Sequence, residues 1–205
     1  MNVIFMINGL GVGGAETQVL TLTNEFIKNG HKVSVITLGK DLRLLNRLNE
    51  HANHYNLNIS SSFELFKAFY SSFRYIKELQ PDVIHAHLFQ ANLISRFLKY
   101  MFPDIKVINT THCKYRKRKL FYNPYIFYKM SRKYVDFHSA VSIEGYEHLI
   151  KNRSISKSKS KIIKNAFDTS KYRIKKEYSI SNNFHWIAIG RLNVVKDYSS
   201  LFKAV

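Results

Sequence analysis

The stretch Met1–Glu16, MNVIFMINGLGVGGAE, decides how this chain folds. Val3 to Ile7 is an unbroken apolar run, short enough for a strand buried on both faces. Gly9, Gly11, Gly13 and Gly14 follow. Ala15 and Glu16 then open a pattern in which Ala15, Val19, Leu22 and Phe26 recur at steps of three and four, one face of a helix. A strand, a glycine turn and a helix N-terminus together predict an anion site. The first N–H groups of a helix lack intrahelical partners, and glycine lets a phosphate approach them.

Working outward, Asn29-Gly30 reads as a helix stop, His31–Leu38 as a second strand, Asp41–Glu50 as a short helix and His54–Leu57 as a third strand. Ser60 to Ser62 offer N-cap hydroxyls to a helix carrying Phe63, Phe66, Phe69, Phe73, Ile76 and Leu79, which Pro81 ends. Asp82–His87 is a fourth strand, Leu88–Met101 a helix with Leu93, Phe97 and Tyr100 on one face, and Asp104–Thr111 a fifth strand. Beyond a basic, tyrosine-rich segment, Lys114–Tyr134, come a sixth strand at Val135–Val141, a helix at Ile143–Ile150 and a seventh strand at Lys161–Ala166. Strand and helix alternate throughout, which predicts an α/β fold, a Rossmann-like, doubly wound parallel sheet with helices on both faces. Ligands of such sheets lie beyond the carboxyl ends of the strands. The rim of the cleft is therefore expected at the Gly9–Gly14 turn, His85–His87, Thr110–Cys113 and Val141–Ser142. Residues 1–170 read as this domain, 171–183 as a polar linker, and 184–205 as one orphan β–α unit opening a second domain.

Composition narrows the classes. Apolar residues at 45% and aromatics at 14% can fill a core, which argues against disorder. Cys113 is the one cysteine, so no internal disulfide framework is possible and a reducing compartment is expected. No basic leader precedes the first strand and no apolar run is long enough to span a bilayer, so the expectation is a soluble, cytoplasmic chain. Charge is the outlier: 32 Lys and Arg against 14 Asp and Glu, a formal +18. No acidic residue lies between Asp104 and Asp136, where Lys114, Arg116, Lys117, Arg118, Lys119, Lys129, Arg132 and Lys133 interleave with Tyr115, Phe121, Tyr122, Tyr125, Phe127 and Tyr128. Cations among aromatics suit an anionic membrane interface, and they also suit stacking on single-stranded nucleic acid; a plain solvated face is the third reading.

Gly9-x-Gly11-x-x-Gly14 fits the dinucleotide fingerprint, but Leu38, Gly39 and Lys40 stand where that fingerprint needs an acid, and Glu16 would repel a tightly held pyrophosphate. His85 and His87 share a strand face and raise the question of a metal set with His112 or Cys113. No carboxylate or further cysteine converges with them in sequence, so no metal is expected. One of the two histidines is expected to line the cleft and the other to pack; Cys113 reads as inert, and Lys164 and Asn165 as structural.

Six segments in this order resemble family 4 glycosyltransferases: Gly13-Gly14-Ala15-Glu16, His85-Ala86-His87, Thr110-Thr111-His112, Ala140-Val141-Ser142, Lys164-Asn165-Ala166-Phe167-Asp168, and Gly190-Arg191-Leu192 with Lys196-Asp197-Tyr198. The resemblance implies a retaining, two-domain GT-B enzyme that builds capsule, lipopolysaccharide or other cell-surface glycans from a nucleotide-diphosphate sugar. It implies that the Gly13 and Gly14 amides face the donor diphosphate and that His112 meets the transferred sugar. Arg191 and Lys196 would neutralise the leaving diphosphate, with no metal or other cofactor. Glu16, His85, His87 and Ser142 are expected around the cleft or acceptor. The first domain of such enzymes takes the acceptor, often lipid-linked, so the basic segment is expected on an anionic membrane at the inner face of the plasma membrane and not on nucleic acid. The Glu-x7-Glu motif of the family's second domain is absent from these residues. The chain alone is therefore expected to be inactive, either as a shortened piece of such an enzyme or as half of a split enzyme whose other chain supplies that domain. The alternative is a non-catalytic module that binds membrane or glycan.

Overall fold

The computed structural model describes residues 1–61, 64–113, 124–167, 169, 186–190, 192 and 194–204. The chain divides into two compact units, Met1–Phe167 and Asp168–Val205. The first holds a seven-stranded parallel sheet: β1 (Asn2–Ile7), β2 (Lys32–Gly39), β3 (Asn53–Ile59), β4 (Val83–His87), β5 (Lys106–Thr111), β6 (Phe137–Ala140) and β7 (Ser160–Ile162). Their spatial order is β3-β2-β1-β4-β5-β6-β7, a Rossmann-like arrangement. The order reverses between β1 and β4, so the loops leaving these two strands diverge and open a crevice at their carboxyl ends.

The apolar run of β1 is buried on both sides because the strand is central, paired to β2 and β4 with Phe5 opposite both Val35 and His85. Val3, Phe5 and Ile7 pack with Val33, Val35 and Val19 of α1 (Gly14–Lys28). Ile4 and Met6 face the other way, packing with Ile36, Ile84 and Val107 beneath α2 (Leu65–Leu79) and α3 (Phe89–Met101). Gly30, with φ of 78°, takes the left-handed turn that follows α1, a conformation glycine adopts without strain.

Three departures from the sequence reading have physical causes. Asp41–Glu50 forms only one 3₁₀ turn, Leu45–Arg47, because its backbone is tied into the β1 loop: Leu10 N–H donates to Asp41 O at 2.8 Å and Leu44 N–H to Leu10 O at 2.7 Å. β7 stops at Ile162, with Ala166 N–H donating instead to the Gln18 side chain at 2.8 Å. In the second unit Trp186–Ile189 carries no strand, since no neighbouring strand among the described residues offers a ladder; a 3₁₀ turn, Val194–Lys196, leads into a later helix, Tyr198–Ala204. Pro124–Met130 is a helix, α4, inside the basic segment; α5 (Ile143–Lys151) follows β6.

Burial on α3 also departs from its apolar pattern. Its stripe of Phe97 and Tyr100 turns outward, 49% and 64% exposed, while Ala91, Asn92, Ile94, Ser95, Arg96 and Leu98 are buried. Polar residues take the inner side because each finds a partner there. Arg96 Nε–H donates to Asn109 Oδ1 at 2.7 Å and its Nη1 donates to Tyr128 O at 3.0 Å and to Ser131 Oγ at 3.2 Å. Asn92 Nδ2 donates to Thr110 O at 3.0 Å and to the Tyr128 hydroxyl at 2.8 Å. Tyr125 and Tyr128 are therefore core residues, not members of an aromatic surface; Tyr128 lies with its ring 4.1 Å from the Arg96 guanidinium.

Candidate functional site

The rim assembles at the carboxyl ends of β1, β4, β5 and β6. Gly13 is the N-cap of α1 in extended conformation, and no side chain caps the first turn. Open space lies where a side chain of Gly14 would point, so an anion can approach the first turn from that side. The Glu16 carboxylate folds back over Gly13: a Cβ placed there would lie 2.3 Å from Glu16 Oε2. A carboxylate at a helix N-terminus is favourable, so an incoming phosphate has to displace Glu16 or share the site with it. Gly9 and Gly11 have a different purpose. Side chains at these positions would meet the Asp41 carbonyl oxygen at 2.8 Å and its carboxylate at 2.3 Å, so both glycines let the β2 loop close against the β1 loop. Asp41 itself pairs with Arg43 at 2.7 Å, an exposed ion pair.

β4 and β5 bring three imidazoles together. His85 and His87 stack with ring centroids 4.3 Å apart, and His87 and His112 follow at 5.2 Å. His85 Nε2 and Thr110 Oγ1 hydrogen-bond at 2.7 Å, and Thr110 Oγ1 continues to Ser139 Oγ at 2.6 Å. His87 Nδ1 and His112 Nε2 are 2.9 Å apart, so one ring donates to the other and both cannot be charged. Burial, reinforced by the neighbouring His112, pushes His85 down to about 3; burial alone takes His112 to about 4. His87 falls well below its ordinary value through burial and the two adjacent histidines. The cluster is neutral at pH 7. Neither His87 Nε2 nor His112 Nδ1 has a hydrogen-bond partner among the described residues. Both nitrogens are buried as well as unpartnered, so His112 Nδ1 can bond a ligand hydroxyl only once the groups that cover it move aside.

β4 ends in a strained junction. Leu88, immediately after His87, has φ 70° and ψ 167°, a conformation that glycine alone adopts readily. Strain of about 1–3 kcal/mol concentrated beside a histidine cluster is characteristic of functional turns. Nothing in the sequence signals it, since a glycine would be the expected residue.

Ser142 is placed on the rim, and its Oγ is used as the N-cap of α5, accepting from Gly145 N–H at 3.1 Å. Lys164 and Asn165 line a cleft of about 290 Å³ together with Gln18, His85, His87 and Ser139. Gln18 and Ser139 escaped the sequence reading; a serine in the interior of a strand was the available signal. Partial burial raises the Cys113 thiol, the opposite of nucleophilic activation. Among the described residues no three His, Cys, Asp or Glu side chains converge as a metal set. Lys129, Arg132 and Lys133 are exposed. Lys114, Arg116, Lys117, Arg118, Lys119 and Arg191 lie outside the described residues, and Lys196 belongs to the second unit.

No curated protein sequence matches the chain significantly. Solved structures do, by fold. UDP-GlcNAc 2-epimerase from Methanocaldococcus jannaschii superposes with TM-score 0.60 at 13% identity over 80% of this chain. A glycosyltransferase from Rickettsia africae gives 0.60 at 19% over 79%, and Anabaena HepE in complex with UDP gives 0.60 at 13% over 83%. The chain spans 46%, 42% and 45% of these three proteins, less than half of each. At these identities the likeness establishes the fold. The sequence profile described as Glycosyltransferase Family 4 matches residues 12–171, a stretch that takes in Gly13, Gly14, His85, His87, His112 and Ser142 and runs past the last strand of the sheet. On that match, the chain belongs to glycosyltransferase family 4.

Proposed function

We propose that this chain is the acceptor-side half of an enzyme that moves a sugar, with retention of configuration, from a nucleotide-diphosphate sugar to a cell-surface glycan or lipid-linked acceptor. The observation that carries the reading is the family match over residues 12–171, which contains the whole histidine rim. Two of the similar structures name UDP or a UDP-sugar in their descriptions, which supports a nucleotide-sugar donor. In this reading the α1 amides at Gly13 and Gly14 receive the diphosphate, and neutral His112 bonds a hydroxyl of the transferred sugar. Arg191 and Lys196 neutralise the leaving diphosphate where charge develops, the role a metal fills in other transferases. The acceptor is presented at the inner face of the plasma membrane, with the cations of residues 114–133 against anionic lipid.

Two measurements test it. Calorimetric titration of UDP, GDP and ADP into residues 1–205 is expected to give negligible heat, because no ribose or base pocket is present among the family motifs of this sequence. Selective binding of one nucleotide would overturn the inactivity of the chain alone and name the donor class. Deleting the gene is expected to remove one surface glycan, restored by the wild-type chain but not by His112→Ala. Unchanged glycans would overturn sugar transfer and leave the binding-module reading.

A further inference from the structure

Helix α3 exposes its aromatic side and buries its polar one. The outward stripe carries Leu93, Phe97 and Tyr100, and it continues onto both neighbours. Toward α2, Phe97 meets Phe69 edge-on with centroids 6.3 Å apart, and Phe66, 81% exposed, completes an apolar groove of about 380 Å³. Toward the 3₁₀ turn Arg132–Tyr134, Tyr100 meets the Tyr134 ring at 5.4 Å, and Lys133 Nζ sits 4.9 Å over that ring. Contiguous exposed aromatic surface of this kind marks an interaction site.

Charge decides the partner. Lys67 on α2, Lys129 on α4, and Arg132 and Lys133 on the 3₁₀ turn are exposed, and none forms an ion pair among the described residues. Within a chain of formal charge +18, two copies meeting on this face would bring like charges together. Phenylalanines at the centre, tyrosines at the edge and lysines beyond them match the succession of acyl chains, interface and phosphate in an anionic bilayer. We propose that the α2–α3 face inserts into anionic membrane, with Phe66 and Phe97 entering the acyl boundary, Tyr100 and Tyr134 at headgroup level, and the flanking lysines on lipid phosphates. The proposal deepens the lipid-linked acceptor reading, on which its biological purpose rests, and it moves the inserted surface away from the basic segment to α2 and α3.

The test places a tryptophan at the centre of the groove: Phe66→Trp with the one native tryptophan removed as Trp186→Phe, mixed with vesicles of phosphatidylglycerol and phosphatidylcholine. Quenching by lipids brominated near the headgroup end of the acyl chain is expected. Phe66→Ser should weaken vesicle binding roughly tenfold at low and high salt alike, whereas Lys133→Glu should weaken it at low salt only. Phe66 is so exposed that its replacement should leave the melting temperature unchanged, which circular dichroism checks. Vesicle binding without quenching would overturn insertion while leaving a charge-held membrane association standing. Absence of vesicle binding, or a dimer in ultracentrifugation that Phe66→Ser dissociates, would also overturn it. The glycan assay reads sugar transfer separately, so failure of that reading is distinguishable.

Discussion

At the residue scale the informative pair is His87 and His112. A bond between two neutral imidazoles fixes both tautomers at once, because each ring must either give or receive the shared proton. His87 is the natural anchor, buried beside the rings of Phe5 and His85, and it leaves His112 with one defined, buried nitrogen, Nδ1, outside the pair. Nitrogen-15 NMR at pH 7 should show a single tautomer for His112. His87→Phe should give averaged shifts for two tautomers and lower stability by about 1 kcal/mol. An unaltered His112 spectrum would remove His87 from the role of positioning residue.

At the scale of elements, Arg96 joins α3, β5, α4 and β6. Arginine only donates, so His138 Nδ1, 3.4 Å from Nη2, accepts; the His138 proton then sits on Nε2 and reaches Thr111 Oγ1 at 2.9 Å. Burial first, and the Arg96 charge second, hold His138 neutral. Through this network the β5 end that carries His112 is coupled to α4. Arg96→Met would leave Asn109 Oδ1 and Tyr128 O without their donors, and a loss of roughly 3 kcal/mol or more is expected in urea unfolding. Arg96→Lys should not rescue it, since an ammonium cannot reproduce the planar fork. Full stability in either variant would contradict the account.

For the whole molecule, the same histidines set the response to acid. His85, His87, His112 and His138 have folded-state values below their unfolded value near 6.5. Below that pH the unfolded chain binds protons that the folded chain refuses, so stability is complete above about 6.5 and falls on acidification. Each such histidine costs on the order of 1.4 kcal/mol per pH unit below 6.5, against a typical total of about 5–15 kcal/mol. A steep fall in melting temperature between about pH 6.5 and 5 is expected, flattened by replacing His138 and His85 together. Asp136 acts lower on the scale: burial alone would raise its carboxyl, but Val107 N–H at 2.8 Å and Lys99 at 3.0 Å outweigh it and lower it. Its contribution is present above about pH 4 and is lost only as pH falls through the depressed value.

What the sequence determined by itself was the order of the seven strands and of the helices α1, α2, α3 and α5 between them, and with these the place of the rim. Periodicity, glycine turns and caps are local properties, set within a few residues of chain, so β1, α1 and the histidine-bearing strand ends were legible before any contact was known. The parallel alternation then left one edge of the sheet for the site, and His85, His87 and His112 fell on it. Only the tertiary structure decided which side of a helix is inside. Arg96 is buried because Asn109, Tyr128 and Ser131, residues distant in the chain, supply its acceptors, and that choice sends Phe97 and Tyr100 outward. Hydrophobic pattern ranks side chains one at a time, whereas burial is settled by whether every polar atom on a face finds a partner. The same reason moved Tyr125 and Tyr128 from a surface reading into the core, turned Ser142 into a cap, and assigned Gly9 and Gly11 to the closure of two loops.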